Sequence, residues 1–268
     1  MPITTLPDLL AKMWEDYTAM NPQVLRIYQL FQEQGETVQN DHIALRTFNH
    51  PKVTIDVLAK PFVDSGYAYR QDYHFPEKKL YAKHYQHPDE QYPKIFISEL
   101  KLEEFDEELQ TTVRQLIDQV PEEKPREFDF CSQGRPWEVS YATYEQLREK
   151  SEYAAWMAAH GYRPNHFTVF VNALQSLDDI REVNEFIKEA GFAMNDSGGE
   201  VKGSPEVFLE QSSTRADTVE VAFSDGQHAV AACYYEFAQR HPRPKGELYQ
   251  GFVATSADKI FESTDKGQ

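Results

Sequence analysis

Only two of the 268 residues are cysteine, Cys131 and Cys233. That is too few for a disulfide framework and gives no pair at zinc-ligand spacing, so a reducing compartment, the cytoplasm, is expected. Basic side chains are also scarce: 27 Lys and Arg stand against 44 Asp and Glu, a net charge of −17. Nucleic acid and anionic membrane are bound by clustered Lys and Arg, so neither is an expected partner. A small anionic substrate would need a local basic group inside an acidic protein. No apolar run approaches the ~20 residues that span a bilayer. The start, MPITTLPDLLAKMWEDY, carries acidic residues and no apolar core of signal-peptide length, so a soluble chain is expected. Also missing are a Gly-x-Ser-x-Gly elbow and the glycine patterns of Walker and dinucleotide-binding loops. Serine-nucleophile and nucleotide chemistry therefore lack support.

What is present is a run of amphipathic segments. LPDLLAKMWEDYTAM and NPQVLRIYQLFQEQG predict two short helices, with Pro22 opening the second and Gly35 closing it. A strand over QNDHIALRTFN follows, then a helix interrupted at Pro61 and closed at Gly66, then strands over KKLYAKHYQH and PKIFISELK. Acidic and mixed helices occupy about 106–159. The second half predicts a strand (NHFTVFVN), a helix (SLDDIREVNEFIKEAG) and strands around VFLEQSS, TVEVAFSDG and HAVAACYYEFAQR. A weak internal repeat emerges: His42 lies 24 residues before Gly66, and His166 lies 25 before Gly191, each at the head of a strand followed by a helix. The expectation is an α+β fold in a single domain over 1–268. Two β-α-β-β-type modules, about 36–105 and 160–240, flank a helical insert at about 106–159. Such paired modules resemble the vicinal-oxygen-chelate architecture, whose curved sheets surround a metal held by strand-borne His and Glu.

The first of these strands raises a chemical question. Side chains alternate along a strand, so His42, Ala44 and Arg46 share one face and Ile43, Leu45 and Thr47 the other. An imidazole and a guanidinium on one face suit either a solvated surface or a site. A mononuclear iron oxygenase needs two imidazoles and one carboxylate on one side of the metal; His42 and His166 are the imidazole candidates. His74, His84, His87 and His241 fall in or beside polar, turn-like stretches; His50 precedes a proline, His160 closes a helix and His228 starts a strand, so all seven are expected to be solvated. For the carboxylate, Glu99 and Glu236 occupy similar places, each in a late strand of its module, and both stay open on spacing alone.

The stretches DHIALRTF, NHFTVFVN, HAVAACYYEFAQRHPRPKGELY and FVATSADKIFES resemble the 2-oxoadipate dioxygenase/decarboxylase (2-hydroxyglutarate synthase) family, in order from Asp41 to Ser263. The resemblance implies that His42, His166 and Glu236 bind Fe(II) and form the catalytic site. It also implies that Arg46 holds a substrate carboxylate and that Thr255 and Ser256 contact the substrate. Thr255 stands where the family has Val, and an insertion of the long members between PKGELY and FVATS is lacking. The implied activity takes a 2-oxo diacid and O2 and gives, from 2-oxoadipate, 2-hydroxyglutarate and CO2. Cα atoms four residues apart on a strand are separated by ~13 Å. A linear diacid can therefore chelate a metal at His42 and meet Arg46 with its far end. Two other readings keep the fold: a metal-dependent hydrolase or isomerase, and a non-catalytic small-molecule binding module.

Overall fold

The computed structural model describes residues 3–254. In chain order its helices and strands are α1 (Leu6–Met20), α2 (Pro22–Glu33), β1 (Asn40–Phe48), α3 (Ile55–Asp64), β2 (Ala68–Phe75), β3 (Leu80–Gln86), β4 (Lys94–Leu100), α4 (Glu107–Asp118), α5 (Tyr141–Lys150), α6 (Glu152–His160), β5 (Pro164–Phe170), α7 (Ile180–Glu189), β6 (Lys202–Ser204), β7 (Leu209–Ser213), β8 (Thr218–Phe223), β9 (Gly226–Ala231) and β10 (Glu236–Arg240). Eight strands form one curled half-barrel sheet in the order β2-β3-β4-β1-β5-β10-β7-β6. β4 returns parallel to β1, and β10 returns parallel to β5. β1 and β5 meet antiparallel at the centre, so the two modules are related by a pseudo-twofold axis through that seam.

The seam is covered on both faces: Ile43 and Leu45 of β1 and Phe167 and Val169 of β5 are buried on one, and the polar side chains of His42, Arg46 and His166 are buried on the other. β1 is buried from Asp41 to Phe48, as expected of a strand covered on two faces rather than one. Helix α1 seals the outer face: Leu9, Met13 and Tyr17, spaced by one helical turn, are fully buried, and the Trp14 and Tyr17 rings lie 5.0 Å from Phe167 of β5.

Two elements differ from expectation. The stretch from His228 to Arg240 is two strands, not one: β8 and β9 pair as a separate hairpin inserted before β10. Between β9 and β10 the backbone leaves the ladder, with Cys233 N donating to Asn21 Oδ1 at 2.8 Å and Tyr235 N to Thr214 Oγ1 at 3.0 Å. An apolar run does not reveal where side chains from elsewhere will replace ladder partners. Helix α3 also runs through Pro61 without interruption, because Leu58, Ala59, Pro61 and Phe62 form its buried face and tertiary burial outweighs local propensity. Among the described residues no helix is long and apolar enough to cross a membrane.

Candidate metal centre

In the seam, Ala44 lies opposite His166 and His42 opposite Thr168. The pairing skips Asp41 on β1 and Asn165 on β5. Each skip is a one-residue bulge, which re-aims the side chains around it. Neighbours on a regular strand point to opposite faces; here each bulged residue turns with the histidine that follows it. Asp41 Oδ1 lies 2.8 Å from His42 Nδ1, and Asn165 Oδ1 lies 3.0 Å from His166 Nδ1. Both Nδ1 atoms are thereby held as donors, which leaves each Nε2 as the lone-pair nitrogen; that of His42 accepts from the Thr168 hydroxyl at 3.1 Å, a bond that a metal would displace.

Those two Nε2 atoms converge on Glu236, the first residue of β10. His166 Nε2 is 3.2 Å from Glu236 Oε2, and His42 Nε2 is 3.5 Å from Glu236 Oε1. The ligand atoms of the three residues lie within 4.8 Å of one another, and the residues are 3%, 3% and 1% exposed. Gln211 Nε2 donates to Glu236 Oε1 at 2.6 Å, which fixes the carboxylate plane. Burial pushes the Glu236 carboxyl up to about 8, against the lowering effect of Gln211. Burial also lowers the His42 imidazole, with Asp41 opposing, and lowers His166 well below the usual histidine range. Two neutral imidazoles and a carboxylate thus present lone pairs to one point. A divalent cation resolves that arrangement, and two His with one carboxylate suit a non-haem iron site with open positions.

Behind His42 stands an ion pair. Arg240 Nε and Nη2 donate to Asp41 Oδ2 and Oδ1 at 2.5 and 2.8 Å, the bidentate fork that arginine favours. Burial works to raise the Asp41 carboxyl, but Arg240 and Lys94 outweigh it and hold it well below the usual carboxylate range. Arg240 Nη1 donates to the carbonyls of Tyr249 and Gly251, each at 2.8 Å, and so fastens the chain after β10 to the same face. There the Phe252 ring meets His42 edge-on, with centroids 4.8 Å apart.

The pseudo-twofold axis decides between the two glutamates. Glu236 lies opposite Thr168, two residues after His166. The matching place in the first module, opposite Ala44, belongs to Phe96. Glu99 lies opposite Thr47 on the outer face, where its Oε2 accepts the Ile55 N–H at 3.2 Å and caps α3. The expectation that Glu99 and Glu236 occupy similar places is therefore corrected: a shift of three residues along a strand reverses the face.

Arg46 is 4% exposed, with its guanidinium 4.9 Å from the Tyr153 ring and 5.0 Å from the Trp156 ring. Among the described residues it has no hydrogen bond and no ion pair. It lines a cavity of about 220 Å³ together with Lys79, Phe105, Lys150 and Tyr153. Thr255 and Ser256 lie outside the described residues.

The expectation of seven solvated histidines is corrected at two positions. His84 is 2% exposed on the concave face of β3, with Nδ1 2.9 Å from Tyr73 Oη. His160 is 2% exposed, with Nε2 2.8 Å from the Ala231 carbonyl oxygen. Both are enclosed by segments distant in sequence. Asp41, Asn165, Gln211 and Arg240 also belong to the centre and escaped the sequence reading. One signal for the first two was present: each candidate histidine follows a residue with a side-chain oxygen, in Asp41-His42 and Asn165-His166.

With this geometry in place, the chain can be set beside known proteins. The family model described as 2-oxoadipate dioxygenase/decarboxylase matches residues 3–248. The chloroplastic 2-oxoadipate dioxygenase/decarboxylase of Arabidopsis thaliana is 34% identical, over 97% of this chain and 77% of that one. The crystal structure of the Oryza sativa hydroxyglutarate synthase in complex with 2-oxoadipate superposes with a TM-score of 0.88 at 31% identity, over 98% of this chain and 96% of that one. A Shewanella frigidimarina NCIMB 400 structure, provisionally described as a hydrolase, superposes with a TM-score of 0.91 at 52% identity, over 95% of this chain and all (100%) of that one.

Proposed function

Because the chain belongs to the 2-oxoadipate dioxygenase/decarboxylase family, we propose that His42, His166 and Glu236 hold Fe(II) and that the protein converts 2-oxoadipate and O2 to 2-hydroxyglutarate and CO2. One observation carries this reading. A buried cluster of two imidazoles and one carboxylate shares the concave face with a buried arginine that lies on the same strand as His42 and has no ion pair among the described residues. Iron held by His42, His166 and Glu236 would supply the oxygen chemistry of an oxidative decarboxylation coupled to hydroxylation. The atoms balance without a further co-substrate: one oxygen of O2 ends in the new carboxylate and the other in the hydroxyl, while the original carboxylate leaves as CO2.

The chain's own residues do the rest. Asp41 and Asn165 hold the imidazole N–H groups, and Gln211 orients the carboxylate. The aromatic walls of Tyr153 and Trp156 set the plane of Arg46, whose fork suits the distal carboxylate of a diacid. Burial of all three ligand residues excludes water from the reacting end. We read residues 1–268 as one domain, because the strands of both modules join one sheet. We place the protein in the cytoplasm, where the buried thiols Cys131 and Cys233, each pushed up to about 12 by burial, stay reduced.

The test is O2 uptake by the Fe(II)-loaded protein with 2-oxoadipate, 2-oxoglutarate and 2-oxohexanoate. The expected order puts 2-oxoadipate first: a shorter diacid cannot span metal and Arg46, and a monoacid leaves the guanidinium unpaired. Equal kcat/KM for 2-oxoadipate and 2-oxohexanoate would remove the named substrate while keeping the iron site. Product formed without O2 consumption would replace the oxygenase by a metal-dependent hydrolase or isomerase.

A further inference from the structure

A third histidine lies on the concave face. His84 of β3 is opposite Phe96 of β4, Phe96 is opposite Ala44 of β1, and Ala44 is opposite His166 of β5, so these four residues form one row across the sheet. The Phe252 ring touches both His84 and His42, with centroids 5.3 and 4.8 Å away. Phe96 occupies the place where pseudo-symmetry would put a fourth ligand. The open side of the metal centre therefore faces the first module, where His84 stands.

Hydrogen bonding fixes the tautomer of His84. The Phe252 N–H donates to Tyr73 Oη at 3.1 Å, and Tyr73 Oη lies 2.9 Å from His84 Nδ1. If the Tyr73 hydroxyl donates to Nδ1, all three groups are satisfied and the imidazole proton sits on Nε2. The reverse arrangement leaves the hydroxyl proton without an acceptor. Burial drives the His84 imidazole down to about 3, so the ring stays neutral and keeps this single proton. The Nε2 atom is buried and has no hydrogen-bond partner among the described residues. An unpaired buried donor is costly, and such groups are rarely left without an acceptor in the working state.

We propose that His84 is a substrate-binding residue whose Nε2–H donates to a carboxylate oxygen at the 2-oxo end of the bound acid. This rests on the 2-oxo-acid reading above. It assigns the two ends of the substrate to different residues, with Arg46 holding the distal carboxylate and His84 the end shared by every 2-oxo acid. A chain of three hydrogen bonds then links substrate, His84, Tyr73 and the backbone at Phe252, so the segment that Arg240 fastens down also orients the head of the substrate.

The test is calorimetric titration of the anaerobic, Fe(II)-loaded protein with 2-oxoadipate and 2-oxohexanoate, alongside iron content and the thermal midpoint of each variant. His84→Leu is expected to weaken binding of both acids about tenfold, with iron content unchanged and a midpoint lowered by loss of the Tyr73 contact, whereas Arg46→Ala weakens only the diacid. His84→Gln, whose amide N–H replaces Nε2–H, is expected to bind both acids nearly as wild type. His84→Asn, whose amide reaches only toward Tyr73, is expected to bind them as weakly as His84→Leu. Should His84→Leu fail to fold, the Gln and Asn pair carries the decision: Gln restored and Asn weak supports the role, and equal binding by the two overturns it. A folded His84→Leu that binds both acids as tightly as wild type also overturns it. Wild-type protein that binds neither acid overturns the 2-oxo-acid reading itself.

Discussion

The two modules share a strand order, a bulge and a histidine, yet they contribute different things to the centre. On the first module the bulged residue is Asp41, an anion locked to Arg240; on the second it is the neutral Asn165. In the strand that returns beside each histidine, the first module has Phe96 where the second has Glu236. Four residues after the histidine, the first module has Arg46 and the second Phe170. Repetition supplies the two imidazoles, and departure from repetition supplies the chemistry. A carboxylate at both returning strands would give four ligands, leaving less room for a chelating acid and O2. With Phe96 there, the two imidazoles and Glu236 crowd one side and the other stays open.

The comparison breaks most severely at Glu236. Glu236→Ala is expected to lower metal affinity by more than the 10- to 100-fold typical of residues that only support a ligand, measured as iron retained after gel filtration. The same carboxyl sets a pH dependence. It is raised to about 8 from 4.5, so between those values the folded, metal-free protein binds a proton that the unfolded chain does not. Stability of the metal-free fold should therefore be full below that window and fall as pH rises through it. Metal binding displaces the proton, so metal affinity should climb by up to about tenfold per pH unit and level off near pH 8. Titration in buffers of different ionisation enthalpy reads the released proton, and Glu236→Gln should abolish it.

Next in size is the asymmetry between the bulged residues. Asp41→Asn leaves the Arg240 guanidinium buried without its carboxylate, which should cost about 3–5 kcal/mol in urea unfolding of the metal-free protein. Asn165→Ala removes one neutral contact and should cost about 1 kcal/mol. Equal losses would mean that Arg240 does not depend on Asp41. Arg46→Ala should weaken productive binding of 2-oxoadipate by about 1.5–3 kcal/mol and leave iron content alone. If it loses iron as His42→Ala does, the residue is structural and the division of labour between modules fails. The smallest effect is expected at Glu99. Glu99→Gln should cost less than about 1 kcal/mol, because burial already disfavours the Glu99 anion and the amide oxygen can still accept the Ile55 N–H, with full metal content.

His42, Arg46, His166 and Glu236 were legible as candidates because strand alternation and the repeat act over short stretches of chain. The bulges were not legible, because the skipped residue is defined by a partner strand more than a hundred positions away. Glu99 looked equivalent to Glu236 because position along a strand can be judged from the sequence while facing cannot be fixed without a register. His84 looked solvated among KKLYAKHYQH because the ring that covers it, Phe252, comes from the far end of the chain. The same limit hid the break between β9 and β10, where Asn21 and Thr214 replace ladder partners. In each case the local pattern was correct and the deciding contact was remote.

The central seam has a consequence for how the protein breathes. Local opening usually begins at edges and loops, while strands with partners on both sides open only with the whole domain. β1 is flanked by β4 and β5 and buried along its length, and both imidazoles ride on this pair. Their backbone amides are expected to exchange among the slowest in the molecule. The sheet cannot loosen its grip on an ion by fraying, so an ion held there can come and go only from the open face, past Phe252 and the ring of residues that would cradle the acid.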